Sequence, residues 1–322
     1  MTTMNQEHAT ALRVAVILPC HCEELTIAST IDGFRQHLPH AEIVVCDNAS
    51  TDQTAAVARA AGAKVIYEGH RGKGEAIRRL FAEVDADVYV MADGDATYDA
   101  AAAPQMIAML LDGKLDMIVG SRRPVHGTAQ YRPGHSFGNR LFSKIVQMFF
   151  NSPFDDLLSG YRVLSRRFVK TFPAEAKRFE IETELTIHVL EHRMPVAQCL
   201  TDYFPRPDGS LSKLSTFKDG FRILVTILQL LRDVKPLQFF SSIALLIAVF
   251  ATLLTPPIII TFLETHTVPR LPTALVIVGM FILSFVFLTC GIILDRISAS
   301  RRHSHRLSYL QHMPPGGSLG KR

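Results

Sequence analysis

Two long stretches without a single charged side chain, residues 237 to 263 and 271 to 294, restrict this chain more than any other feature. Each exceeds the roughly 18 residues of a membrane span, and at about 1.5 Å rise per residue each crosses a hydrocarbon core about 30 Å thick. The connector from Glu264 to Arg270 is too short to hold a domain, so the two spans must turn back on each other. Pro256 and Pro257 interrupt the first stretch, which places its straight part at Leu237 to Thr255. Arg222, Arg232 and Lys235 precede the hairpin, and Arg296, Arg301, Arg302, Arg306, Lys321 and Arg322 follow it. Basic flanks on both sides predict that both ends face the cytosol. Just upstream, Phe221, Ile223, Leu224, Ile227, Leu228 and Leu231 recur at helical spacing, as in an amphipathic helix lying at the membrane surface or packed on a neighbouring domain. The expected organisation is a cytosolic domain over residues 1–218, an interfacial helix or linker over 219–236, a two-span transmembrane hairpin over 237–294 and a basic cytosolic tail over 295–322.

Composition bounds the partners. With 48% of 322 residues hydrophobic, the chain can furnish lipid-facing runs and still bury one large core. Lys plus Arg total 34 against 30 Asp plus Glu, and the positive charge gathers only in the tail and a few loops, which argues against nucleic acid as a partner. Cys20, Cys22, Cys46, Cys199 and Cys290 are odd in number, and their spacing suits neither a disulfide framework nor a paired zinc site, so a reducing compartment is expected. Met1 to Ala11 is polar, with no apolar segment of a secretory signal, and the large domain is expected to stay inside the cell.

That domain reads as alternating strands and helices. Apolar runs at Val14–Leu18, Ile43–Cys46, Val65–Tyr67, Val88–Met91 and Met117–Val119 predict five strands. Helices fit between them at Ile27–Leu38, Thr54–Ala61, Glu75–Glu83 and Pro104–Leu111. Continuously apolar strands separated by helices imply an α/β fold whose mostly parallel sheet is covered on both faces. Ligands of such sheets lie beyond the carboxyl ends of the strands, and the residues there are polar: Cys20 to Glu24, Asp47 to Asp52, Asp93-Gly94-Asp95 and Gly120-Ser121-Arg122-Arg123. Asp93 and Asp95 are the sharpest pair, because two carboxylates one glycine apart can share one hard cation such as Mg²⁺ or Mn²⁺ with substrate phosphates. Gly69 to Gly74 is glycine-rich but lacks the Lys-Ser/Thr ending of a phosphate loop and follows the third strand, which rejects both a P-loop NTPase and a dinucleotide fingerprint. Its amides and Lys73 can still approach a diphosphate.

In this order the motifs resemble the inverting GT-A glycosyltransferases of family 2, specifically the membrane-attached branch of dolichyl-phosphate or polyprenyl-phosphate sugar transferases. The family's Pro-x-x-Asn-Glu start reads Pro19-Cys20-His21-Cys22-Glu23, with Cys22 at the asparagine position. Its base-binding Asp-Asp-x-Ser-x-Asp segment is matched by Asp47, Asn48, Ser50 and Asp52, with Asn48 in place of the second aspartate. Asp93-Gly94-Asp95 stands for the Asp-x-Asp, Gly120-Ser121-Arg122 for the Gly-Ser-Arg, and Asp156 to Arg162 for the Asp-x-x-Ser-Gly-Tyr-Arg signature. Phe179 to Leu185 looks like the acidic acceptor-side helix, and Arg206 to Lys213 like the basic Arg-x-x-Gly-x-Ser-Lys loop. Thr97 stands where the phosphoprenyl branch has a glutamine that joins the metal.

The resemblance implies a GT-A nucleotide-diphospho-sugar transferase fold and inverting transfer of a hexose-type sugar to polyprenyl phosphate, with the base of the nucleotide left open between UDP and GDP. Implied metal ligands are Asp93 and Asp95. Pro19, His21, Glu23, Asp47, Asn48, Ser50, Lys73, Asp93 and Gly94 are expected to bind the nucleotide sugar. Asp95, Arg122, Glu182 and Glu184 are the expected catalytic residues, and Arg140, Arg206, Ser212 and Lys213 the expected binders of the acceptor phosphate. A lipid phosphate is already ionised at neutral pH and needs little general-base help, whereas a hydroxyl acceptor would require a carboxylate such as Glu182 or Glu184 to take its proton. Transfer to a membrane lipid or glycolipid hydroxyl, and a noncatalytic membrane scaffold, are the alternatives. Homo-oligomerisation is left open.

Overall fold

The computed structural model describes residues 12–124, 154, 156–173, 181–205, 229, 232–233, 235–268 and 270–316. By contacts the chain divides into two compact units, Met1–Thr216 with Leu307–Arg322, and Phe217–Arg306.

The first unit is built on a seven-stranded sheet. Its first half runs β1 (Val14–Cys20), α1 (Ile27–His37), β2 (Glu42–Asp47), α2 (Thr54–Ala60), β3 (Lys64–Tyr67), α3 (Lys73–Glu83), β4 (Val88–Met91), a short 3₁₀ turn at Ala100–Ala102 and α4 (Ala103–Asp112). Then come β5 (Met117–Pro124), β6 (Arg162–Ser165), α5 (Arg166–Thr171), α6 (Ile181–Glu191) and β7 (Val196–Tyr203). Sheet order is β3-β2-β1-β4-β6-β5-β7, parallel throughout except that β6 runs antiparallel to both neighbours. Val16, Leu18, Val45, Val88, Val90 and Ile118 form the buried strand side of the core, against Ile27, Ile31 and Phe34 of α1 and Met106 and Leu110 of α4.

Three details depart from the sequence reading. Pro19 does not end β1, which continues through Cys20 beside β2. Ile17 turns its carbonyl toward the β4 side, where it accepts from Ala92, while Cys20 accepts from Asn48 on the β2 side. Pro19 therefore faces the β4 side, where β1 is unpaired beyond Ile17, and its missing N–H costs no ladder bond. Second, Gly120-Ser121-Arg122 lies inside β5, because β7 pairs with β5 as far as Pro124 after β6 has stopped at Val119. Third, β6 and β7 were not anticipated as strands.

The second unit contains α7 (Pro236–Leu254), α8 (Pro256–Thr265) and most of α9 (Leu271–Leu310). The helix breaks at Thr255 where Pro256 and Pro257 can offer no N–H to the preceding turn. Antiparallel packing joins the two arms: Ser284 donates to the Ala244 carbonyl at 2.8 Å, Phe240 stacks on Phe287, and Gly291 gives Phe240 room that a Cβ would close to 2.9 Å. Pro236–Thr265 and Leu271–Leu310 are long and apolar enough to cross a membrane, with mean hydropathy 2.5 and 2.7 in their most apolar windows. Only 11% and 17% of those windows are buried, unlike the core helices of a soluble protein. Helix α9 runs past the apolar stretch because no Gly or Pro interrupts it between Ile292 and Met313.

Candidate active site

Three polar segments, Cys20 to Glu24, Asp47 to Asp52 and Asp93 to Asp95, lie at the carboxyl ends of β1, β2 and β4. The loop after β4 crosses β1 so closely that a Cβ on Gly94 would sit 2.4 Å from Cys20 Sγ, which is why a glycine separates the two aspartates. Thr26 Oγ1 donates to the Gly94 carbonyl at 2.8 Å and Thr30 Oγ1 at 3.3 Å, tying that loop to the start of α1. Asp95 is buried, and its Oδ1 accepts from the Thr97 hydroxyl at 2.6 Å and the Thr97 amide at 3.3 Å. Asp93 is 28% exposed. Beside it opens a cavity of about 250 Å³, bordered by Ser29, Thr30, His37, Tyr98, Asp99 and Phe204.

Asp93 is ion-paired with the Lys73 ammonium, which also lies 2.5 Å from Glu182 Oε1 on the first turn of α6. Burial alone would push the lysine toward neutrality, but Asp93 and Glu182 outweigh it and raise its pKa, so the ammonium stays charged. Glu182 is 5% exposed, and its Oε2 has no hydrogen-bond partner among the described residues. Glu184 is half-buried; two residues along a helix it does not share a face with Glu182.

A second charged pair stands near Tyr98. Arg122 grips Asp156 through Nε at 2.6 Å and a terminal nitrogen at 2.9 Å, and its guanidinium lies 5.5 Å from the centre of the Tyr203 ring. The rings of Tyr98 and Tyr203 are 5.6 Å apart, and the Tyr98 hydroxyl accepts from the Gly160 amide at 2.9 Å. Burial raises the Tyr98 pKa, with Asp93 adding to it, so this phenol stays protonated. Arg162, fully buried, holds the floor together by donating to the Ser159, Leu157 and Glu182 carbonyls and to Thr186 Oγ1, all within 3.0 Å. Burial pushes its pKa down to about 10, which still leaves it charged near neutrality.

On the β2 side, Asn48 spends both ends of its amide on the loop before α3. It donates to the His70 carbonyl at 2.6 Å and the Glu68 carbonyl at 3.3 Å, and accepts from the Gly72 amide at 2.7 Å. An aspartate could accept from Gly72 but could not donate to the two carbonyls, which accounts for the amide here. Asp47 is buried and accepts from the Ser50 amide, while Ser50 Oγ accepts from the Cys22 amide at 3.0 Å. His21 Nδ1 meets the Asn48 carbonyl at 2.8 Å and must carry the proton there. The Glu23 amide donates to Thr54 Oγ1 at 2.8 Å.

Residues 15–172 match the family model "Glycosyl transferase family 2". The chain is 32% identical over 236 residues to Glycosyltransferase AglJ of Haloferax volcanii, an alignment covering 71% of this chain and 76% of AglJ. It belongs to glycosyl transferase family 2. A further family relative is the low-salt glycan biosynthesis hexosyltransferase Agl6 of the same organism, 31% identical over 219 residues, covering 65% of this chain and 51% of Agl6. Glucosyl-3-phosphoglycerate synthase of Mycobacterium tuberculosis, solved with Mn²⁺, UDP and glucosyl-3-phosphoglycerate, superposes with a TM-score of 0.56 at 24% identity over 69% of this chain and 79% of that one. That likeness establishes the GT-A-like fold.

In this family 2 enzyme, the fold gathers Pro19, His21, Glu23, Asp47, Asn48 and Ser50 along the ends of β1 and β2, and Lys73, Asp93 and Glu182 around one charge cluster. Arg140, Arg206, Ser212 and Lys213, with Phe221, Ile223, Leu224, Ile227, Leu228 and Leu231 of the amphipathic stretch, lie outside the described residues. The sequence reading did not single out Tyr98, Tyr203 or Asp156 as site residues. Asp156 carried a usable signal, since it opens the recognised signature; Tyr98 and Tyr203 lie far apart in sequence and are joined by an antiparallel bridge that forms only in the folded chain.

Asp93 and Asp95 fit a divalent cation by donor chemistry: hard oxygens on one loop, the first already seating a cation in Lys73. Among the described residues no group of three or more His, Cys, Asp or Glu side chains forms a ready cage, so substrate phosphates would have to complete the coordination.

Proposed function

We propose that this glycosyltransferase moves a hexose-type sugar, with inversion, from a nucleoside-diphosphate sugar to a polyprenyl phosphate at the cytosolic face of a membrane. What carries the reading is the presence, in one chain, of a family 2 catalytic unit and two apolar helices whose hydrophobic windows are largely unburied. A lipid-anchored acceptor is the substrate such an arrangement suits, because its headgroup meets the enzyme while its chain stays in lipid. The hairpin is assigned both ends on the cytosolic side, and residues 219–236 the interface.

An oxygen of the acceptor phosphate forms the new bond to the anomeric carbon as the bond from that carbon to the donor's diphosphate breaks, the electron pair leaving with the diphosphate. Asp93 and Asp95 would hold Mg²⁺ or Mn²⁺, which when bound stabilises the negative charge developing on that leaving group. Asp47, Asn48 and Ser50 border the nucleotide, with Pro19, His21, Glu23 and Gly94 shaping the same wall. Arg122, steadied by Asp156, supplies positive charge near Tyr98. Arg140, Arg206, Ser212 and Lys213 are assigned to the acceptor phosphate.

A hydroxyl acceptor is the second reading, favoured by Glu182 Oε2, a buried oxygen with no hydrogen-bond partner among the described residues that could take a proton. Turnover of UDP- and GDP-sugars by the detergent-solubilised chain, with and without a short polyprenyl phosphate, separates the two. Product mass should show a sugar-phosphoprenyl species formed only when the lipid phosphate is supplied. Sugar transfer to a hydroxylated lipid in its absence would overturn the phosphate reading.

A further inference from the structure

Lys73 occupies an uneven seat. Its one ammonium serves two carboxylates, Asp93 from the loop after β4 and Glu182 from α6, and the trio carries one negative charge in excess. The lysine and glutamate side chains are only 10% and 7% exposed, while Asp93, at 28%, is the open side. Gly160 closes the far wall: a Cβ there would stand 2.9 Å from Asp93 Oδ2 and 3.0 Å from Lys73 Nζ. Glu182 Oε2 faces none of the described donors. A monovalent ammonium at the head of a flexible four-carbon stem therefore fills a place whose oxygens suit a more highly charged ion.

We infer that Lys73 is an internal counter-ion that holds Asp93 and Glu182 in the absence of metal, and that it yields Asp93 to a divalent cation by moving onto the donor's diphosphate. This rests on the reading of Asp93 as a metal-binding carboxylate. Burying two carboxylates with no cation would be costly, so the lysine keeps the empty enzyme folded and the site formed. The same lysine opposes a metal that arrives alone, since its ammonium would be driven off Asp93 with only Glu182 left to hold it. When metal and diphosphate arrive together, each ion gains a partner, and the two positive charges of the metal match the two negative charges of the sugar diphosphate. Metal and nucleotide must then bind synergistically, and by linkage each raises the other's affinity by the same factor.

The test measures Mn²⁺ binding to the full chain in detergent by the paramagnetic resonance signal of the free ion, with and without UDP or GDP. Lys73→Met should bind Mn²⁺ alone roughly tenfold more tightly than the wild type, and the nucleotide should then add less affinity than it does to the wild type. Unchanged or weaker Mn²⁺ binding by a folded K73M overturns the inference. A wild-type measurement covers the case in which that variant does not fold: acylation of Lys73 by an amine reagent, read by mass spectrometry, should increase on adding Mn²⁺ and decline again on adding nucleotide. Constant labelling of Lys73 across a titration that loads Mn²⁺ overturns the inference while leaving the metal reading intact. Failure of the wild type to bind Mn²⁺ even with UDP or GDP overturns both.

Discussion

The two edges of the sheet each bury a carboxylate against a cation, and they do so in opposite ways. At the amino-terminal edge Asp116, ahead of β5, is 0% exposed and fully occupied. It accepts from Ser165 Oγ at 2.7 Å, from both Nε and a terminal nitrogen of Arg167, and from the Tyr309 hydroxyl at 2.7 Å. Ser165 in turn caps α5 by accepting from the Phe168 amide. At the carboxyl-terminal edge Glu182 leaves one oxygen without a hydrogen-bond partner among the described residues, and Asp93 remains partly open to solvent. A carboxylate whose acceptor positions are filled by its own chain can only hold the chain together. One with capacity to spare can hold something that comes and goes.

The largest effect should come from breaking the satisfied site. Asp116→Ala strands the Arg167 guanidinium and the hydroxyls of Ser165 and Tyr309 in a buried place, and removal of one partner of such a pair typically costs about 3–5 kcal/mol. Denaturant unfolding of the detergent-solubilised chain should show this loss. Metal and nucleotide binding of whatever fraction remains folded should be unchanged, since Asp116 lies across the sheet from Asp93. A variant with wild-type stability would contradict the assignment of this edge to structure.

Next in size is the open site. Asp93→Asn keeps shape and removes the charge that pairs with Lys73, so turnover should drop by about 10²–10³-fold, as for loss of one group that stabilises a leaving charge. Its stability should change far less than that of Asp116→Ala, because Lys73 keeps Glu182. Rate and unfolding midpoint measured on one preparation check both halves. Equal losses in both variants would erase the distinction between the edges.

The same contrast marks how far the amino-acid sequence could be read. Five strands and four helices were legible because their apolar runs are continuous and local, and the aspartate pair was legible from its place after one of them. Strand β6 was not, since it opens with Arg162, a charge that looks exposed on paper. Its burial depends on carbonyls of Leu157, Ser159 and Glu182, which only the folded chain brings round it. Strand β7 lies at the sheet edge, with β5 as its one ladder partner among the described residues, and its Gln198, Thr201 and Asp202 break up the apolar pattern. The seat of Lys73 was hidden for the same reason as β6. Its neighbours Gly69 to Gly74 invited comparison with a phosphate loop, whereas the two carboxylates it touches come from separate elements far along the chain. In the tail, the residues from Leu307 on group by contacts with the sheet unit.

Tyr309 is the point at which that tail can be tested, and the expected effect is the smallest of the three. It is 7% exposed, with its hydroxyl on Asp116 Oδ2 and its ring 4.7 Å from the Arg167 guanidinium carbon. Tyr309→Phe deletes the hydroxyl and keeps the ring, so the cation–π contact survives while one charge-assisted hydrogen bond is lost. Such a bond is worth about 1.5–3 kcal/mol, and because Ser165 and Arg167 still serve Asp116 the loss should fall at the lower end. The decisive measurement is the double variant. If Tyr309 acts through Asp116, then in the Asp116→Ala background Tyr309→Phe should add almost nothing, because the hydroxyl has already lost its acceptor. Additive losses would instead show that the Tyr309 hydroxyl acts independently of Asp116, and the satisfied edge would then reduce to Asp116, Ser165 and Arg167.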